Sequence, residues 1–254
     1  TRYNPDVLQH MTATEWSTSE APLRRRVVVA GTIGLLAVVT VAGAVRPLAH
    51  LSDWYPLKAA VPFTFVMLIA VALIPSFHPF SRFGPANQVT TVRAGLMALA
   101  AGLIGEPALP STAVWAAATG LLMGALDALD GRLARQTGMA SAFGARYDME
   151  IDALVVMTLS VLAWQYGKAG AWIVLVGLFR YLFVAAGWFL PWLRHPLPVS
   201  LRRKTVCIVQ IVGLSIVVLP IVNPPASAWF AAGLLLTLAS SFLADTVWLW
   251  RRVD

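Results

Sequence analysis

The chain has 254 residues, 58% hydrophobic and 12% charged, with a formal charge of +7. Charged residues are too scarce for an ordinary soluble domain, and several apolar runs approach the roughly 20 residues that cross a bilayer as a helix. The runs are continuous rather than alternating, which excludes a β-barrel. The basic excess fits cytosolic loops lying on anionic headgroups, so the bilayer and not nucleic acid is the expected partner. One cysteine, Cys207, excludes an internal disulfide and a cysteine-built zinc site, and its expected place is that of a small buried hydrophobe. The expected fold is all-α, a polytopic membrane bundle of about eight transmembrane helices.

Residues 1–26 are polar, close on Arg24-Arg25-Arg26, and are expected to form a cytosolic tail. The first apolar run starts only after that triplet and further spans follow, so no cleavable signal peptide is expected. Spans over 27–45 and 58–74 make an N-terminal transmembrane hairpin (27–80), with Trp54 and Tyr55 in its loop suited to the interface. Pro75, Pro79, Gly84 and Pro85 break the chain before the third span, 87–104, which opens Asn87-Gln-Val-Thr90-Thr91-Val-Arg93. Gly105-Glu106-Pro107 and Pro110 form a short outer loop. The fourth span starts near Thr112 and carries Asp127 and Asp130 near its far end. After a polar break at 136–141, the fifth runs from Gly144 to about Tyr166 and carries Asp148 and Asp152.

The sixth span, 171–190, contains Arg180. A basic connector follows, with Arg194, His195, Arg202, Arg203 and Lys204. Spans over 205–221 and 227–248 finish the bundle, Asp245 being read as a polar link between helices and the tryptophans near span ends as an aromatic belt. With the N-terminus cytosolic, Arg24–Arg26, Arg82, Arg132, Arg135, Arg194, Arg202–Lys204, Arg251 and Arg252 fall inside, and Arg46, Lys58 and Lys168 outside. The positive-inside rule asks for this asymmetry. It places the aspartates at the cytosolic ends of the fourth and fifth spans.

Those aspartates are the chemical centre of the chain. A carboxylate within a membrane is expensive unless something positive sits with it. Asp127 and Asp130 are three apart, Asp148 and Asp152 four apart, so each pair shares one helix face. Two such helices make an all-oxygen cage that suits Mg²⁺ or Mn²⁺. Gly131 and Gly144 let a ligand lie against the backbone, Arg135 can grip phosphate oxygens bidentately, and an aspartate can take a proton from an attacking hydroxyl. Intramembrane carboxylates also occur in cation transporters, so that alternative stands, although no inverted repeat is evident.

The run Asp127-x-x-Asp130-Gly131-x-x-Ala134-Arg135, eight residues, then Gly144-x-x-x-Asp148-x-x-x-Asp152 resembles the signature of the CDP-alcohol phosphotransferase (CDP-alcohol phosphatidyltransferase) family at every fixed position. Asn87-x-x-Thr90-x-x-Arg93 resembles the start of that family's first core helix, and 81–254 would be its six-helix core. The resemblance implies a CDP-linked alcohol, often CDP-diacylglycerol, bound against Asn87, Thr90, Gly131, Ala134, Arg135 and Gly144. Asp127, Asp130 and Asp148 would hold two divalent ions and Asp152 would complete the site. Asp152 would also be the base that deprotonates an acceptor hydroxyl as it attacks the β-phosphorus and CMP leaves. A homodimer is implied as well.

Leu201-Arg202-Arg203-Lys204-Thr205 resembles the basic segment of members that use phosphorylated acceptors. Arg180, Arg194, Arg202 and Lys204 are therefore candidate ligands of a small polar, phosphorylated alcohol, the other reading being an Arg180–Glu150 pair and a basic loop on anionic lipid. Ala153 follows Asp152 where makers of phosphatidylglycerol phosphate and phosphatidylinositol phosphate usually carry Lys or Arg. CDP-choline or CDP-ethanolamine with diacylglycerol is the alternative substrate pair. The hairpin lies outside the family core.

Overall fold

The computed structural model describes residues 13–80, 82–137, 139, 141–198 and 200–252, with side chains described except at 13–21, 75–76 and 128–137. Among the described residues are eight α-helices and no strand: α1 (Ala13–Leu48), α2 (Tyr55–Phe77), α3 (Pro85–Ala101), α4 (Pro110–Thr137), α5 (Ala142–Gln165), α6 (Val174–Phe189), α7 (Leu201–Val217) and α8 (Ala226–Trp250). Proline sets several starts, at Pro56, Pro85 and Pro110, because the first turn needs no amide donor there. The α5 start is capped by Ser141, whose Oγ accepts from the Gly144 amide at 3.0 Å.

Two boundaries differ from expectation. Helix α1 begins at Ala13 and runs unbroken through Arg24–Arg26, so the arginines sit on a helix that continues into the apolar run. Helix α7 begins at Leu201 and takes Arg202–Lys204 out of the connector into its first turn. Among the described residues, four stretches are long and apolar enough to cross a membrane: Pro22–Leu48, Tyr55–Ile74, Ala171–Phe189 and Ala226–Trp250. The other helices are shorter or carry the charges and small polar residues of the bundle interior.

Helix α3 lies at the centre, packed against α1, α2, α4 and α5, while α7 packs against α4, α5 and α8. Small residues make this possible, since helices in lipid associate by close packing rather than by expelling water. Ala94, Ala98 and Ala100 of α3 are fully buried. A Cβ on Gly177 of α6 would lie 2.5 Å from the Met157 Cα of α5. Tyr55 is also buried rather than interfacial: its hydroxyl donates to the Leu99 carbonyl at 2.9 Å and accepts from Trp115 Nε1 at 2.8 Å. Trp54 beside it is exposed.

The end of the bundle away from the aspartates is clasped by polar loops. Buried Glu106, between α3 and α4, accepts from the Ser52 amide at 2.8 Å, Ser52 Oγ at 2.7 Å and Lys58 Nζ at 2.7 Å. Burial raises the Glu106 pKa, but these hydrogen bonds outweigh it and hold the carboxyl below its ordinary 4.5. Lys168, after α5, donates to the Leu219 and Val222 carbonyls at 2.9 and 2.7 Å, and burial lowers its pKa.

Candidate functional site

Three carboxylates meet where α4 ends and α5 begins. Asp127 is 4% exposed, and Asp148 and Asp152, one turn apart on α5, face it. One oxygen from each lies within 4.8 Å of the others. The charge between them is Arg93 of α3, which is fully buried. Its Nη1 donates to Asp148 Oδ1 and its Nη2 to Asp152 Oδ1, while Nη1 lies 3.4 Å from Asp127 Oδ1. The planar guanidinium fork spans carboxylates on two helices, which a lysine could not do. From α7, Cys207 Sγ donates to Asp152 Oδ2 at 3.4 Å, and Lys204 is near enough to Asp127 to attract it electrostatically.

The donor set suits a hard cation. Ligands at the 2.0–2.6 Å of Mg²⁺ or Ca²⁺ lie no more than about 5 Å apart, and all three donors are carboxylate oxygens. Among the described side chains, three carboxylates face the Arg93 guanidinium, with Lys204 contributing from α7, so acidic groups outnumber basic ones in a partly buried site. That excess favours a divalent ion over a second side-chain cation.

The structure also brings Asn87 and Gly144 together. Asn87 Nδ2 donates to the Phe83 carbonyl at 2.5 Å, and a Cβ on Gly144 would lie 2.8 Å from Asn87 Oδ1. A side chain at 144 would therefore have to displace Asn87, whose amide is held by the Phe83 carbonyl. Thr90 is buried one turn on, its Oγ1 bonded to the Ala86 carbonyl at 3.1 Å. Asn87, Thr90 and Arg93 thus line one face of α3. Asp130, Gly131, Ala134 and Arg135 lie outside the residues whose side chains are described, although α4 continues through them to Thr137.

The cations considered for the acceptor each have a neighbour of their own. Arg180 Nη2 donates to Glu150 Oε1 at 2.6 Å, and Arg194 Nε to the Gly187 carbonyl at 2.6 Å. Arg202 donates to Asp245 Oδ1 at 2.5 Å and to Ser241 Oγ at 3.0 Å, tying α7 to α8. Lys204 is the member that interacts electrostatically with Asp127.

Two site residues, Arg93 and Cys207, were given no role at the site from sequence. Arg93 had a signal: it stands at i, i+3, i+6 with Asn87 and Thr90, and membrane carboxylates demand a cation. Cys207 had none; its thiol is a half-buried hydrogen-bond donor at the site rather than inert core packing.

A family model described as CDP-alcohol phosphatidyltransferase matches residues 83–243, from just before α3 into α8. No curated protein and no solved structure matches the chain.

Proposed function

The chain belongs to the CDP-alcohol phosphatidyltransferase family, and from that premise we propose a membrane transferase that moves a phosphatidyl group from CDP-diacylglycerol to a small polar alcohol, releasing CMP. Family membership supports the coarser reaction, transfer of a phosphate-linked group from a CDP-alcohol. The observation that supports metal-assisted transfer is the convergence of Asp127, Asp148 and Asp152 on Arg93, and the preference for CDP-diacylglycerol with a small polar alcohol rests on the basic 194–204 segment.

On this reading Asp127, Asp130, Asp148 and Asp152 hold two divalent ions, Mg²⁺ or Mn²⁺. Bound there, they would neutralise the charge of the diphosphate as it develops. Asn87, Thr90, Gly131, Ala134, Arg135 and Gly144 receive the nucleotide and diphosphate. Asp152 takes the proton of the acceptor hydroxyl; that oxygen forms a bond to the β-phosphorus, the bond from this phosphorus to the bridging oxygen breaks, and CMP carries away the electron pair. Asp152 already accepts two hydrogen bonds, from Arg93 and Cys207, and these orient it. Lys204 is the acceptor cation nearest in its effect. A phosphorylated acceptor would engage Arg180 and Arg202 only in competition with Glu150 and Asp245.

The proposed chain crosses the membrane with all eight helices, opens its site to the cytosol, comprises a tail (1–26), a hairpin (27–80) and a core (81–254), and works as a homodimer. The test is CMP release by the purified protein with CDP-diacylglycerol and Mg²⁺ or Mn²⁺. The acceptors are glycerol 3-phosphate, inositol phosphate, inositol, serine and choline. Release with one acceptor, lost in Asp127→Asn and Asp152→Asn, is expected. Full turnover in either variant would sink the site assignment, and activity only with CDP-choline and diacylglycerol would reverse the donor.

A further inference from the structure

A second feature lies on the other face of α3, against the hairpin outside the family match. A cavity of about 1040 Å³ opens between α1 and the start of α3, and Arg25, Arg26 and Arg82 line it. Arg46, Arg93, Arg180 and Arg202 each meet a carboxylate. Among the described residues, Arg25, Arg26 and Arg82 form no ion pair, and all three are exposed. The first turn of α3 faces the same cavity through Gly84, Pro85 and Gln88 and has no side-chain cap. Its amides and the helix dipole add to the same positive field.

The cavity does not end at the arginines. Ala30, Ile33 and Gln88 also line a second, narrower cavity of about 430 Å³ that continues down the α1–α3 seam. Its walls are apolar, formed by Ala37 and Val41 of α1, Gly95 and Leu99 of α3, and Phe63 of α2. On α1 the stripe from Ala30 to Val41 spans about 16 Å at the helical rise, close to one leaflet of a bilayer's hydrocarbon. A cationic mouth above an apolar trough about as long as one leaflet is deep has the shape and charge of one lipid molecule.

We propose that the α1–α3 groove binds an anionic glycerophospholipid, its phosphate among Arg25, Arg26 and Arg82 and one acyl chain along α1 from Ala30 to Val41. Charge complementarity commits the site to an anionic head, and the apolar trough commits it to a lipid rather than a soluble phosphate. The groove is separate from the carboxylate site, which uses the opposite face of α3, so the inference does not depend on the proposed reaction. It gives the hairpin a function: a lipid seated between an added pair of helices and the family core.

The test is retention of phosphatidylglycerol by the purified, delipidated full-length protein, read by native mass spectrometry. Phosphatidylcholine of the same chains and inorganic phosphate are the comparisons. Arg24 belongs to the same triplet but does not line the cavity, so Arg24→Gln is the control. Loss of charge-assisted hydrogen bonds in the R25Q/R26Q/R82Q variant should weaken phosphatidylglycerol retention by about tenfold or more. Arg24→Gln should leave it within about twofold. Ala37→Trp, at an exposed position where folding tolerates it, should also expel the lipid by filling the trough. Equal losses in R24Q and the triple variant would reduce the arginines to a general anchor on anionic membranes. Equal retention of phosphatidylcholine, displacement by inorganic phosphate, or an unaffected A37W would each overturn the groove.

Discussion

Removing Arg93 takes the counter-charge away from all three described carboxylates at once. Its side chain is 0% exposed, and those of Asp127 and Asp152 are 5% and 17% exposed. Breaking a buried pair by deleting one partner costs about 3–5 kcal/mol, because the remaining charge is left uncompensated. Asp148 is 36% exposed and adds only a surface-like increment. A loss near the low end, about 3 kcal/mol, corresponds to a melting temperature about 6–12 °C lower for a soluble chain of this size. The assay is thermal unfolding of Arg93→Met against the parent in detergent micelles, followed by tryptophan fluorescence, first in EDTA and then with Mn²⁺. The drop should be largest in EDTA and should shrink when a divalent ion supplies positive charge to the same oxygens. Arg93→Lys should fall between, because one ammonium cannot span Asp148 and Asp152 as the fork does. An R93M protein that melts with the parent in EDTA, or a gap that Mn²⁺ leaves unchanged, would refute the reasoning.

Gly144→Val should cut CMP release by about tenfold or more while the protein still folds, since the added Cβ would lie 2.8 Å from Asn87 Oδ1 and overpack the α3–α5 contact. Gly43→Val, where no atom lies within 4 Å, should leave release unchanged. Glu106 predicts a pH dependence. Its folded pKa lies below the ordinary 4.5, so its contribution is complete above that value and is lost as pH falls through the lower folded value. The contribution is about 2 kcal/mol from hydrogen bonds to a charged group. Melting curves from about pH 7 to about pH 3 should show an acid-sensitive fall that Glu106→Gln flattens, and parallel curves for the two proteins would refute it.

Much of the bundle was legible because lipid leaves few choices. Apolar runs and prolines give eight helices at nearly the expected places, and helical spacing places Asp148 and Asp152 on one face of α5. What was not legible depends on three-dimensional approach. Tyr55 looked like an interfacial ring in a loop, but its hydroxyl is spent between the Leu99 carbonyl and Trp115, a contact that no local pattern records. Arg202 sat in a basic run suggestive of a ligand, and its Asp245 partner is on another helix, 43 residues away. Cys207 gains its role only because α7 crosses α5 beside Asp152.

Charge balance inside the bundle separates structural polar groups from functional ones. Arg180 meets Glu150, Arg202 meets Asp245, and Lys168 is consumed by the carbonyls at the end of α7. Each is satisfied within the protein and can hold helices together without help, as intramembrane polar groups must. Two clusters of like charge stand out among the described residues. At the carboxylates, among the described side chains, Arg93 and Lys204 face three aspartates, and the surplus is negative. At the α1–α3 groove Arg25, Arg26 and Arg82 line one cavity without forming an ion pair among the described residues, and the surplus is positive. A standing surplus of like charge favours a partner of opposite sign from outside the chain. On the readings proposed above, that partner is a divalent cation at the first place and an anionic lipid phosphate at the second. The two lie on opposite faces of α3, so filling one should leave the other's affinity unchanged unless α3 itself moves. Phosphatidylglycerol retention measured with and without Mn²⁺ would read any such coupling, because linkage requires it to be reciprocal.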